Sequence, residues 1–310
     1  GMTIVFFTIR IMSGEINGRY PVMLMLVYLY VPAYAGLLYQ LRGRGYGAVV
    51  KGIAIQVLTA GAAYYLSNIL HAALAVYLMQ MVLLLLAVRK GWFEVNKRDA
   101  AIVIVTVLVI IPLAACLFLL VTGPAEADNY RLRRIQAWLH PSEDPYGAGY
   151  TYMWIRQGLA KSKLIGVYEG FSFDDEITWL VPRTDPFILI EIVFTFGILI
   201  GILVVAALAA LIIHAFGIVR RQKNQLGYMI SAACFMVFLD NCVEGILINT
   251  GCFPVTSVQL PFLSYGVGST VTYAVFIGLL LSIHRNEKIV TDYTVTGRPV
   301  WRLNIRLEKK

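Results

Sequence analysis

Apolar runs of a helix-spanning length, separated by short polar stretches, recur along the chain at about 20–40, 48–67, 70–88, 100–121, 187–219, 226–248 and 267–283. About 20 helical residues cross a hydrocarbon core of about 30 Å, and a helix satisfies its own backbone polar groups where no water is present. The pattern predicts an all-α polytopic membrane protein with about seven to eight transmembrane helices, counting an N-terminal apolar stub over residues 1–12. The stub is too short to span alone, and no signal-peptide cleavage pattern follows it. Two stretches break the rhythm. Residues 123–186 form the one sizeable polar region. Residues 251–270 mix two prolines, glycines and hydroxyls into otherwise apolar sequence. Four parts follow: membrane helices over 1–122, a large extracytoplasmic loop over 123–186, further membrane helices over 187–288, and a basic tail over 289–310.

Composition agrees with lipid as the solvent. Hydrophobic residues make up 59% and charged residues 14% of the chain, against about 45–50% and 25% in soluble domains. The net charge of +8 could suggest nucleic acid, but the bases cluster between apolar runs. Arg42, Arg44 and Lys51, then Arg89, Lys90, Lys97 and Arg98, then Arg220, Arg221 and Lys223, and the tail from Arg285 all fall on one side when the helices are threaded alternately. That side is expected to be the cytoplasm, with the C-terminus inside and any chemistry at the outer leaflet. Membrane lipids are the implied contact, and nucleic acid is not. Cys116, Cys234, Cys242 and Cys252 show no CxxC spacing, the four histidines are scattered, and neither a phosphate-binding GxxxxGK[ST] loop nor HExxH occurs. ATPase and zinc-hydrolase readings therefore have no support.

Within the polar region, Arg131-Leu-Arg-Arg-Ile-Gln-Ala-Trp-Leu139 spaces Leu132, Ile135, Trp138 and Leu139 as one helical face. Such a helix lies in the interface, apolar face down, with Arg131 and Arg134 near phosphate level. Asp185, in Pro182-Arg-Thr-Asp-Pro-Phe187, sits at the mouth of the long run over 187–219. Position alone favours a capping role for Thr184 or Asp185 ahead of Pro186, over catalysis, although one carboxylate can do both. Asp240, Asn241 and Glu244 share a helical turn at membrane depth and mark either a polar cavity or helix–helix glue. The 251–270 segment is expected to be re-entrant or cavity-lining, because irregular backbone survives in lipid only when protein or a cavity surrounds it. Gly197 and Gly201 form a GxxxG pair suited to helix packing.

Taken together, Arg131 to Pro141, Asp144-Pro-Tyr-Gly-Ala-Gly-Tyr150, the turn ending at Asp185, and Leu260-Pro-Phe-Leu-Ser-Tyr-Gly-Val-Gly-Ser269 resemble the SEDS family, the RodA, FtsW and SpoVE relatives. Pro254, Thr256, Leu260, Pro261, Phe262, Ser264, Tyr265, Gly266 and Ser269 match its last motif. The resemblance is clear over 130–285 and weak over 45–93. The family usually has ten spans, which implies that two or three N-terminal helices are absent or divergent. It also implies a peptidoglycan glycosyltransferase that polymerises lipid II beside a class B penicillin-binding protein, in division, elongation or sporulation. The family's essential acid falls on Asp185, and substrate-binding roles fall on Arg131, Arg134, Tyr150, Arg183, Ser264, Tyr265 and Ser269. Charge developing on the pyrophosphate calls for Arg131, Arg134 or Arg183, or a divalent cation, beside it. Departures stand out: the family's Gly-Glu-Glu reads Ile192-Val-Phe with Glu191 displaced, its Thr-Gly reads Thr256-Ser257, and its Gly-Gly-Ser-Ser reads Gly266-Val-Gly-Ser-Thr270. They imply a divergent paralogue, with a weakened lipid II-binding scaffold or carrier as the alternative.

Overall fold

The computed structural model describes residues 27–67, 70–122, 130–147, 149–167, 187–256, 258–264 and 267–286. Its helices are α1 (Tyr30–Gln40), α2 (Tyr46–Ser67), α3 (Leu70–Arg89), α4 (Lys97–Thr122), α5 (Tyr130–Leu139), α6 (Tyr150–Lys161), α7 (Ile188–Phe196), α8 (Ile198–Arg221), α9 (Gln225–Asn249) and α10 (Val267–Arg285), with a 3-10 turn over Pro141–Glu143. No strand occurs among the described residues. Among the described residues four helices, α2, α3, α8 and α9, are long and apolar enough to cross a membrane. The N-terminal stub and the basic tail lie outside the described residues.

α9 is the central helix. It packs on α1, α3, α7, α8 and α10, and half of its apolar window is buried against 17% of that in α8. α8 accordingly turns most of its apolar surface outward, as a lipid-facing helix does. The first half of the bundle is pinned by buried amides. Gln56 Nε2 donates to the Tyr77 carbonyl at 2.9 Å, Thr59 donates to Gln80 Oε1 at 2.8 Å, and Tyr34 donates to the Gly52 carbonyl at 3.0 Å. Interhelical hydrogen bonds of this kind hold apolar helices in register, since lipid supplies no hydrophobic force between them. Sequence reading had not singled out Gln56 or Gln80, both 0% exposed.

The basic loops do gather at one end. The Gly43 N–H bonds the Trp92 carbonyl at 2.8 Å, the Arg42 guanidinium lies 4.8 Å from the Tyr39 ring and 5.4 Å from that of Trp92, and Lys90 Nζ lies 4.3 Å from the Tyr228 ring. Asn224 caps α9 there, accepting from the N–H groups of Leu226 and Gly227.

One expected helix is not continuous. The run over 187–219 breaks at Gly197, whose φ of +101° and ψ of 168° belong to glycine alone. The break is splinted by residues 163–166: the Ile198 and Leu199 N–H groups donate to the carbonyls of Lys163 and Leu164 at 3.0 and 3.1 Å, and the Gly166 N–H donates to that of Phe196 at 3.1 Å. A Cβ on Gly197 would stand 2.6 Å from the Leu164 oxygen. Gly201 is the close-packing member of the pair, with Val193 of α7 folded directly against it. The expected GxxxG helix contact thus describes Gly201, while Gly197 is a corner.

Candidate functional site

Three elements meet at the end of α9 and the residues just after it. That helix ends in a Schellman-type stop: Gly251 has φ +71°, its N–H returns to the Ile248 carbonyl, and the Cys252 N–H returns to that of Leu247. α5 is attached through Trp138, whose Nε1 donates to the Gly251 carbonyl at 3.2 Å. α6 is attached through Tyr152, whose hydroxyl accepts the Val255 N–H at 2.9 Å. α7 is attached through Asn249, whose Oδ1 accepts the Ile190 N–H at 3.0 Å while its Nδ2 donates to the Gly245 carbonyl at 2.7 Å. Apolar packing fills the space between them, with Ile155, Phe187, Ile190, Val193, Phe194, Ile248 and Val258 forming one buried cluster. The Trp154 ring meets Phe194 edge-on at 4.9 Å, and Gly158 leaves room for the Phe194 ring.

The start of α7 is described from Phe187 onward, so the expected cap at Thr184 or Asp185 lies outside the described residues. Its first helical residue is Ile188, the N-cap position falls on Phe187, and no N-cap side chain closes the turn. Asp185 precedes that position by two residues. The orphan N–H groups of a helix start need a partner, and Asn249 provides one from a different helix. Sequence reading missed Asn249, Tyr152 and Gly251. A lone Asn at the end of an apolar run reads only as a helix stop.

Arg134 is exposed on α5, close enough to influence both His71 at the start of α3 and Tyr152. Burial pushes the Tyr152 phenol up from its ordinary value, opposed by the Val255 N–H and the Arg134 charge. Tyr150 is half-buried in the first turn of α6. Ser264 is buried, and its Oγ accepts the Leu260 N–H at 3.0 Å, closing the turn that holds the Leu260–Ser264 loop. Asp185 and Arg183 lie outside the described residues, as do the side chains of Arg131, Tyr265 and Ser269.

The intramembrane trio is brought together with the irregular loop that follows α9. Thr256 donates to Glu244 Oε1 at 2.8 Å. The Tyr273 hydroxyl of α10 reaches both Asn241 Oδ1 at 2.9 Å and the Gln259 carbonyl at 3.1 Å. Leu260 packs on Gly245, where an added Cβ would stand 2.8 Å from it. Gly245 and Asn241 lie four and eight residues before the end of α9, so the loop descends about 12 Å beside it at about 1.5 Å per residue. Val258, Gln259, Leu260 and Ser264 of this loop are buried. Asn241 and Glu244 serve as glue between elements. Asp240 keeps one buried oxygen, Oδ2, without a hydrogen-bond partner among the described residues. No group of three or more His, Cys, Asp or Glu side chains suited to a metal ion occurs among the described residues.

Comparison with known proteins adds the following. The FtsW, RodA and SpoVE family model, described as "Cell cycle protein", matches residues 22–289. Stage V sporulation protein E of Bacillus subtilis (strain 168) is 28% identical over 159 residues, 51% of this chain and 43% of that protein. A probable peptidoglycan glycosyltransferase FtsW of Trichlorobacter lovleyi is 29% identical over 163 residues, 52% of this chain and 42% of the relative. Peptidoglycan glycosyltransferase MrdB of Escherichia coli (strain K12) is 26% identical over 164 residues, 53% of this chain and 44% of the relative. The matches thus span less than half the length of these relatives. Among solved structures, a chain from "Structural coordination of polymerization and crosslinking by a peptidoglycan synthase complex" superposes with a TM-score of 0.61 at 21% identity, covering 85% of this chain and 70% of that one. The shared fold is what that likeness shows.

Proposed function

The chain belongs to the FtsW/RodA/SpoVE family, whose model matches residues 22–289, and from that membership we propose that it polymerises lipid II into glycan strands at the outer face of the bacterial cytoplasmic membrane. Relatives named peptidoglycan glycosyltransferase support the reading. The structural observation that supports it is the attachment of α5, α6 and α7 to the end of α9 and the segment just after it, through Trp138 to Gly251, Tyr152 to Val255 and Asn249 to Ile190. That arrangement anchors the helix that follows the Asp185 turn to the same support as Arg134. The basic end of the bundle faces the cytoplasm in this proposal, with seven to eight spans and the C-terminus inside. A class B penicillin-binding protein is the proposed partner, in keeping with a structural relative that comes from a peptidoglycan synthase complex.

Lipid II keeps its pyrophosphate at headgroup level and its sugars just outside. In the proposed reaction Asp185 takes the proton from the acceptor's GlcNAc 4-hydroxyl as that oxygen attacks the donor's anomeric carbon. The new glycosidic C–O bond forms as the bond to undecaprenyl pyrophosphate breaks, with inversion. The leaving group departs with the electron pair and its negative charge, which Arg134, Arg131 or Arg183 would stabilise. Among the described residues no three acids, histidines or cysteines converge to hold a divalent cation. Asp185→Asn should leave a monodisperse protein that makes at least about 100-fold less polymer from purified lipid II, the scale of a lost general base. Undiminished polymer would remove Asp185 from the mechanism.

One observation favours a second reading, a lipid II-binding scaffold. Val193 and Phe194, standing where the family pattern has its acidic pair, are 9% and 0% exposed and are used for packing. Lipid II binding without turnover, by the wild-type protein alone and with a transpeptidase, would select it.

A further inference from the structure

The loop that splints the Gly197 corner leaves its side chains outside the fold. Leu164 and Ile165 are each 66% exposed, Val167 is 50% exposed, and Phe196, on the α7 side of the corner, is 56% exposed. Their backbone is nevertheless held. Three hydrogen bonds tie residues 163–166 to Phe196, Ile198 and Leu199, and Gly197 lacks a Cβ where the Leu164 carbonyl and the Ile165 Cα lie against it. A loop this firmly fixed presents its apolar side chains in a set direction.

Height along the membrane follows from α8. Its 24 residues run about 36 Å at about 1.5 Å per residue, slightly more than a hydrocarbon core of about 30 Å. With Arg220 and Arg221 in its last turn at headgroup level on the basic side, its first residue, Ile198, reaches the opposite boundary of the acyl region. Residues 163–166 are bonded to that first turn, so they lie at the same level. Leu199 and Ile200, 46% and 37% exposed, continue the apolar surface from the loop onto the lipid-facing side of α8. Lys161 and Lys163 are exposed just before Leu164, and no acid occurs between residues 157 and 167. Ammonium groups beside an apolar tip at this level match lipid phosphates above acyl chains.

We propose that residues 161–167 form a wedge inserted into the outer leaflet, with Leu164 and Ile165 among the upper acyl chains and Lys161 and Lys163 at the phosphates. The occupant of this surface is the lipid bilayer. The wedge is bonded to the corner between α7 and α8, so it sets the height at which the outer helices ride above the membrane. The inference does not depend on whether the protein polymerises lipid II.

The test places a nitrobenzoxadiazole label at Ile165→Cys, and separately at Tyr146→Cys, in a Cys116→Ser, Cys252→Ser background that leaves the two buried cysteines, Cys234 and Cys242. Tyr146 is 97% exposed and serves as the aqueous reference. The unlabelled-site background protein gives the blank. In vesicles of phosphatidylglycerol and phosphatidylethanolamine carrying a nitroxide high on the acyl chain, the label at 165 should be quenched several-fold more than the label at 146, and a water-soluble quencher should give the reverse order. Equal aqueous quenching at the two sites, with no lipid quenching at 165, would overturn the wedge. Shielding of position 165 from both quenchers would also overturn it, by showing a protein surface there instead.

Discussion

Replacing Asn249 with Leu removes two hydrogen bonds while keeping the number and branching of the side chain's heavy atoms. The Ile190 N–H then loses the Oδ1 acceptor at 3.0 Å in a site where Asn249 is 2% exposed and Ile190 is 0% exposed. A buried backbone donor left unsatisfied costs about 1–3 kcal/mol, and a lost N-cap costs about 0.5–2 kcal/mol. These describe one group and are not added. The expected loss is therefore about 1–3 kcal/mol, a factor of about 5 to 150 in the docking equilibrium of α7 at about 1.4 kcal/mol per tenfold. The second bond, Nδ2 to the Gly245 carbonyl, lies within α9, whose own ladder remains.

Hydrogen exchange on the protein in nanodiscs reads this locally. Amides of residues 188–196 should exchange faster in Asn249→Leu by that factor, while α2, α3 and the first half of α9 keep their protection, because α7 is a minor neighbour of the main core around Leu83, Val237 and Phe276. Asn249→Asp keeps an acceptor for Ile190 and loses the donor to Gly245, so it should hold α7 better than Leu does. Unchanged exchange over 188–196 in Asn249→Leu would refute the claim that this side chain fixes the helix.

Two further substitutions test the other unusual geometries. Gly197→Ala should lower the thermal midpoint in detergent, by a cost of about 1–3 kcal/mol for a residue forced to positive φ, raised further by the Leu164 oxygen 2.6 Å from the new Cβ. Gly217→Ala, with no atom within 4 Å of its Cβ position, should leave the midpoint unchanged or raise it, and equal effects at the two sites would count against the corner. Thr256→Val should cost about 1–3 kcal/mol by leaving Glu244 Oε1 without its partner. Combining it with Glu244→Leu should cost less than the sum of the two single changes by about 0.5–3 kcal/mol. Strict additivity in that cycle would show that the pair does not hold the loop.

Helix lengths were well marked in the sequence because apolar run length is set by the bilayer. The runs at 70–88 and 226–248 became Leu70–Arg89 and Gln225–Asn249. The descent of the loop after α9 was legible for a related reason, since two prolines and several hydroxyls cannot stay in lipid unless protein surrounds them. The corner at Gly197 was not legible. An unbroken apolar run carries no sign of direction, and glycine within it suits close packing and positive φ equally well. Gln56, Gln80 and Asn249 escaped notice because each is a single amide in an apolar helix, and only its partner on another helix reveals its use. The Asp185 candidate came from motif resemblance and lies outside the described residues.

The same helix solves two polar problems, and that links the buried trio to α6. Glu244 and Asn241 would be costly facing lipid; Thr256 of the returning loop bonds Glu244, and Tyr273 of α10 bonds Asn241 and the loop's Gln259 carbonyl. The loop tolerates that course because its own polar groups are used. Ser264 Oγ accepts the Leu260 N–H, the Ser264 N–H returns to the Leu260 carbonyl at 3.1 Å, and Phe262 sits at φ +65°, a conformation that persists only when its surroundings fix it. Val255, one residue before Thr256, donates to Tyr152. A shift of the loop that broke the Glu244 contact would therefore pull on α6, and a change in α6 would be felt at Glu244. Rigid connection through adjacent residues is sufficient for this. It gives Glu244 a structural reason to exist whether or not it ever meets substrate.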